Sequence, residues 1–194
     1  MLNIRKMLSL TIAAAVISSG AIVPRLAAAT PDSGTNVTFA VTAGTFAAAP
    51  VSGADSLKLA GQQFAISVVG NSSMVPAKHG RNWAIFNSLT MKGTVYSQLV
   101  PGTAIPIASK AVTLQQTAGA TADKFTCTFP VKVLGIALTV TANITLPGGT
   151  MVKPLIRPFP SVTLDPTNAT VTYANTTAAT VLAVQTGTLT ATAQ

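Results

Sequence analysis

Glutamate is absent from this chain, and cysteine, histidine and tryptophan occur once each, at Cys127, His79 and Trp83. A single cysteine excludes an intramolecular disulfide, so the fold has to be held by its core alone. One histidine and one cysteine also leave too few ligands for a zinc centre built from those residues. The acidic side chains are Asp32, Asp55, Asp123 and Asp165, none with an acidic neighbour in sequence, and a glycosidase needs two carboxyl groups that converge. A Ser-His-Asp hydrolase would depend on His79, yet no Gly-x-Ser-x-Gly elbow presents a serine. The inventory therefore points away from an enzyme, and no metal or cofactor is expected.

Long apolar runs are confined to the N-terminus. Arg5 and Lys6 precede an apolar stretch from Met7 to Val23, which Pro24 ends before the small residues Ala27, Ala28 and Ala29. That order is the pattern of a secretory signal peptide with cleavage after Ala29, dividing the chain into a signal at 1–29 and a single domain at 30–194. An uncleaved anchor is the other reading of the same run, but Ser18, Ser19 and Gly20 interrupt it. No later stretch approaches the ~20 apolar residues that a spanning helix requires, so no membrane span is expected once the signal is removed. The expected location is secreted: extracellular, at the cell surface or in the periplasm. Removal of Arg5, Lys6 and Arg25 lowers the formal charge from +8 to +5. The remaining basic residues are scattered with few aromatics among them, which argues against nucleic acid and leaves an anionic envelope polymer or a glycan as the partner class.

What the chain does contain is small β-forming residues. Charged residues are 8% and hydrophobic residues 48%, so the domain is neither disordered nor rich in helix formers. The cleanest pattern is Lys124 to Pro147. Phe125, Cys127, Phe129, Val131 and Val133 take odd positions, whereas Ile136, Leu138, Val140, Ala142, Ile144 and Leu146 take even ones. A two-residue turn at Leu134-Gly135 explains the change of phase: Val131 then faces Leu138, Phe129 faces Val140, Cys127 faces Ala142 and Phe125 faces Ile144, all on one side. Glycine at the second corner favours a type II turn, with type I′ opposed by Leu134. Pro130 has no N–H, and in this register it points away from the second strand, so Lys124–Val133 reads as an edge strand, or as one that bulges at Pro130 and stops pairing there.

Further strand material lies at Asn36–Thr42, Ser56–Ala60, Phe64–Val69, Trp83–Tyr96 with Gly93 as a bulge, Ile105–Ile107, Ala111–Gln116, Val162–Leu164, Thr170–Ala174, Thr180–Thr186 and Thr188–Thr192. Gly70 to Asn82 reads as a loop, and Asp165–Asn168 and Asn175–Thr177 as turns rather than as calcium ligands. Short strands separated by turn signals predict an all-β protein, an antiparallel β-sandwich of immunoglobulin-like or Greek-key arrangement, with a closed barrel or a jelly roll as alternatives that the same alternation allows. Asn36–Thr42 together with an exposed edge at Pro130 also suggests a subunit that borrows a strand from a neighbour.

The most unusual local composition runs from Val75 to Trp83. It gathers Lys78, His79, Arg81 and Trp83, and a second basic segment carries Lys153 and Arg157 among prolines. The cations suit a carboxylate, sulfate or phosphate, and Trp83 suits a sugar ring. The plainer alternative places Trp83 in the core and leaves the loop merely solvated. The leading function is thus a secreted, non-catalytic structural or adhesive protein, with a carbohydrate or anionic-polymer binding module centred on Lys78–Trp83 as the alternative. Oligomeric state is left open by the sequence.

The odd/even register makes a direct prediction. Phe129→Asp loses a large apolar contact, about 3–5 kcal/mol for the truncation alone, and adds a buried charge, so it abolishes folding. Thr128→Asp on the opposite face costs only about 1 kcal/mol. Chemical denaturation of both variants checks the difference, and equal destabilisation would show that the register is wrong.

Overall fold

Alternation with a period of two makes each strand one-sided, and one-sided strands pair so that their apolar residues share a face. The computed structural model describes residues 35–76, 82–117, 121–147 and 159–193. Among these are ten strands and no helix: β1 Thr35–Phe46, β2 Gln63–Pro76, β3 Asn82–Val95, β4 Ile105–Ser109, β5 Thr113–Thr117, β6 Ala122–Val133, β7 Ile136–Pro147, β8 Phe159–Leu164, β9 Ala169–Ala174 and β10 Ala179–Ala193. All pairings are antiparallel, in the order β4-β3-β2-β1-β10-β9-β7-β6-β5. The strands form one sheet curled into a half-barrel.

Strand β10 is the crease. Its first part, Ala179–Ala183, pairs with β9, and its later part pairs with β1 on one side and β8 on the other. The two halves of the sheet therefore diverge from one continuous strand and bring their apolar faces together. Phe39 of β1 meets Phe125 of β6 with ring centroids 5.3 Å apart, and Val37, Phe129, Leu164, Leu182 and Leu189 are almost wholly buried. At the far side, β4 and β5 are separated only by Lys110, Ala111 and Val112, although one pairs with β3 and the other with β6, and β4 also packs against β6. The expected sandwich is met at the level of antiparallel all-β structure with a shared apolar interior. Chain-consecutive strands are neighbours along most of this order, except that β1 lies beside β10, β9 lies beside β7, and β8 pairs with β10.

The Lys124–Pro147 hairpin forms in the predicted register, with Phe125↔Ile144, Cys127↔Ala142, Phe129↔Val140 and Val131↔Leu138. On the outer face Thr128 and Thr141 hydroxyls lie 3.1 Å apart and Thr126 donates to Asn143 Oδ1 at 3.0 Å. β6 is not an edge strand, since β5 pairs with it on the side away from β7, but that pairing ends at Thr113↔Thr128, two residues short of Pro130, which has no N–H to offer. The turn differs from expectation. Leu134 has φ 50° and Gly135 φ 81°, both positive, which is the type I′ pattern. The right-handed twist of the paired strands favours that geometry over type II, and it outweighs the left-handed strain on Leu134. Ile136, expected inside, is 43% exposed beside this turn.

Other expectations change for comparable reasons. Ser56–Ala60 is turn rather than strand, and Gly70–Asn82 is largely strand, since β2 continues to Pro76 and β3 begins at Asn82. Asn71 pairs with Asn36 on one side and Asn87 on the other, so partners on both edges override the turn preference of Asn-Ser-Ser. The β3 bulge lies at Ser88, φ 53°, whereas Gly93 pairs regularly and is needed because a Cβ there would meet the Ala65 carbonyl. Thr180–Thr186 and Thr188–Thr192 are one strand. Asn36–Thr42 pairs with both β2 and β10, so it is an interior strand of its own sheet and not a segment free for a neighbour.

Left-handed backbone costs a residue such as leucine about 1–2 kcal/mol, and asparagine visits that region far more readily. Because Leu134 is 40% exposed, its side chain contributes little packing. Leu134→Asn should raise unfolding free energy by about 1 kcal/mol in urea denaturation with an unchanged slope.

Candidate functional site

Of the residues predicted to bind, Lys78, His79, Arg81, Lys153 and Arg157 lie outside the described residues. Trp83 is described in its backbone only: it stands in β3 opposite Val75, and Pro76 stands opposite Asn82, so residues 77–81 join two paired strands. The structure neither assembles these side chains nor separates them.

Two polar constructions are described in full, and neither was foreseen. The first is the connection from β1 to β2. The Asp55 carboxylate accepts the Leu59 N–H at 3.0 Å, the Ala60 N–H at 2.8 Å and the Tyr173 hydroxyl at 2.7 Å. Beside it the Thr180 hydroxyl donates to the Ala54 carbonyl at 2.7 Å, and the Ser97 hydroxyl donates to the Leu57 carbonyl at 2.6 Å. Within this loop Leu57 and Leu59 are buried in the interior, Leu57 wholly so. Burial raises the Asp55 pKa, but the Ala60 N–H, the Tyr173 hydroxyl, the Leu59 N–H and the Lys58 charge outweigh it, and the net direction is down from the ordinary 3.8. Tyr173 is pushed up, by burial first and by the neighbouring carboxylate as well. The chemistry of this cluster is that of a fastening: both carboxylate oxygens accept hydrogen bonds.

The second is a groove on the outer face at the β1 bulge. Registers with β2 and β10 both shift there, and Ala43 takes φ 50°. A Cβ on Gly44 would lie 2.6 Å from the Phe64 ring, which is itself stacked on Phe46 at 4.4 Å, so the bulge closes over that ring only with glycine. The displaced backbone leaves an open groove of about 360 Å³, lined by Ala43, Gly44, Phe64 and Ala65 together with Thr45, Gln63, Thr94 and Tyr96. Tyr96 N–H donates to the Gln63 carbonyl at 2.9 Å, fixing the two side by side, and the Thr45 and Thr186 hydroxyls are 2.7 Å apart at the rim. No charged side chain lines it. The one signal in the sequence is Ala-Gly inside an otherwise regular strand, where glycine marks a bulge or a close approach.

The remaining groups have structural roles. Asp165 Oδ1 accepts the Thr167 N–H at 2.8 Å and the Thr167 hydroxyl at 2.5 Å, while Asn168 Oδ1 accepts the Asp165 N–H at 2.9 Å, which is a self-bonded turn as expected. Among the described residues no three of His, Cys, Asp and Glu gather as for a metal, and no helix is long and apolar enough to cross a membrane. Cys127 is buried, and desolvation pushes its thiol up to about 12, so it is not a nucleophile at neutral pH. Two apolar cavities of about 50 and 40 Å³ lie in the interior, and both are bordered by Phe64, Ile66, Phe129 and Val171. Comparison with protein-family models, curated proteins and solved structures gives no match.

A carboxylate whose folded pKa is depressed stabilises the fold above its unfolded pKa and loses that contribution as pH falls through the folded value. Asp55 and Asp165 both move in that direction. Stability should therefore fall as pH drops below about 4. Asp55→Asn should lower stability at pH 7, by about 2 kcal/mol for hydrogen bonds to a charged acceptor, and should flatten the acid dependence. Urea denaturation of both proteins from pH 2 to 7 measures this, and parallel curves would show that Asp55 does not fasten the loop.

Proposed function

We propose that the chain is exported, with residues 1–29 as its signal peptide, and that 30–194 acts as a secreted, non-catalytic structural or adhesive protein at the cell surface. In this reading the two facing halves of the curled sheet serve as a β-sandwich does, presenting broad outer faces from a packed interior. The observation that carries it is the commitment of Asp55, Tyr173, Asp165 and Cys127 to the fold. Asp55 and Tyr173 fasten a loop, Asp165 closes a turn and Cys127 is a buried thiol with its pKa raised. Support for an exposed adhesive role also comes from the outer faces, where threonine and asparagine form cross-strand hydrogen bonds and no large apolar residue is needed.

A second reading, a glycan or anionic-polymer module, draws on the pairing of Trp83 with Val75. That register sets Trp83 one pair from the segment that carries Lys78, His79 and Arg81. Lys153 and Arg157 would add positive charge. The test is a binding screen of the purified chain against glycans and isolated envelope polymers, beside Arg81→Ala and Trp83→Ala. Loss of binding in both variants favours the second reading, and no binding by the parent leaves the structural one. Iodide quenching of Trp83 fluorescence gives an independent check, since a stacking platform is open to quencher and a core tryptophan is protected.

A further inference from the structure

We propose that the groove at the β1 bulge is a binding site for a neutral saccharide, with Tyr96 as the stacking platform and Gln63, Thr45 and Thr94 as the hydrogen-bonding groups. The site is independent of the Lys78–Trp83 segment and lies among other residues. Its volume, about 360 Å³, falls in the range of small-molecule sites and admits one or two pyranose rings. Its floor of alanine and glycine lets a flat ring approach the sheet, and the half-buried Tyr96 stands beside it with an aromatic face and a polar tip. Gln63 offers both an amide donor and a carbonyl acceptor, and the threonines offer hydroxyls that act either way, which is the mixed set a polyhydroxylated ring requires. Among the described residues the side chains of Gln63 and Tyr96 have no hydrogen-bond partner, so their polar atoms are available to a ligand. The uncharged lining selects against phosphate, sulfate and uronic acids, because nothing there compensates a desolvated anion.

The geometry is also held in place before any ligand arrives. Ala43 is in left-handed backbone and is clamped between β2 and β10, and Phe64 is fixed beneath Gly44 by its stack on Phe46. A groove whose walls belong to three paired strands needs little ordering on binding, which favours a rigid ligand of modest affinity.

The test is an amide-resolved NMR titration of the purified chain with cellohexaose, with maltohexaose and with a sulfated polysaccharide. The expected result is saturable shifts at Thr45, Gln63, Thr94 and Tyr96 with a neutral oligosaccharide. Tyr96→Ala should weaken binding about tenfold, the loss of one aromatic contact, while Tyr96→Phe keeps it. Gln63 is exposed, so Gln63→Ala tests the same groove without disturbing the core and should also weaken binding. The proposal is overturned by an absence of shifts at these four residues at millimolar neutral sugar, by shifts there with the sulfated polymer alone, or by shifts confined to the strand around Trp83. The last outcome would support the Lys78–Trp83 reading instead.

Discussion

A sheet with one apolar face and no helix to cover it has to bury that face against itself, and the rest of this structure follows from that requirement. Among the described residues nothing but strand and turn is available. The strand that meets the need is β10, whose fifteen residues pair with β9 in one half and with β1 and β8 in the other. Where the crease passes through neighbouring strands, the chain breaks them. β8 and β9 run successively along the same edge of β10, interrupted by the Asp165–Asn168 turn, and β4 and β5 are interrupted by Lys110–Val112. Sharp curvature is thus concentrated at two short breaks and one continuous strand, while the β6–β7 hairpin keeps regular pairing throughout.

The parts of this fold legible in the sequence are those in which local pattern and tertiary environment agree. The register of the Lys124–Pro147 hairpin is legible because its alternating apolar positions leave one pairing that turns them to a shared face, although Ile136 beside the turn is exposed. Legibility fails where a distant partner decides. Ser56–Ala60 alternates Leu57 and Leu59 like a strand, but the Asp55 carboxylate captures the N–H groups that a strand would have offered to a neighbour, and Tyr173 holds that carboxylate from 118 positions away. Asn71-Ser-Ser looks like a turn and is a strand for the converse reason, having partners on both sides.

The site is less legible than the fold because of what sequence reasoning attends to. Lys78, His79, Arg81 and Trp83 attract notice through rarity and proximity in sequence, whereas the outer groove is assembled from three separate segments, 43–45, 63–65 and 94–96, of common residues. Register alone makes them neighbours: Thr45 stands opposite Gln63, and Thr94 opposite Ala65. No single segment carries the chemistry, so the pattern exists only once the pairing is known. Ala43-Gly44 is the exception, since glycine within a strand signals a departure from regular pairing before any partner is identified.

Two of the non-glycine residues at positive φ, Leu134 and Ala43, separate strain that serves the fold from strain that serves a surface. Leu134 is left-handed at an exposed hairpin corner, with open space around Gly135, and its conformation answers only to the twist of β6 and β7. A better turn residue would supply the same twist, so nothing but the connection depends on that strain. Ala43 is left-handed in the middle of the sheet, where regular pairing would be the lower-energy choice and where strands on both sides shift register to accommodate it. Strain of this kind persists only because the surroundings over-determine it. Here they do so through the stacked Phe46 and Phe64 beneath Gly44, and the consequence on the outer face is a concave, uncharged surface. The bulge is therefore better understood as the feature that shapes that surface than as a fault in β1 that the core tolerates.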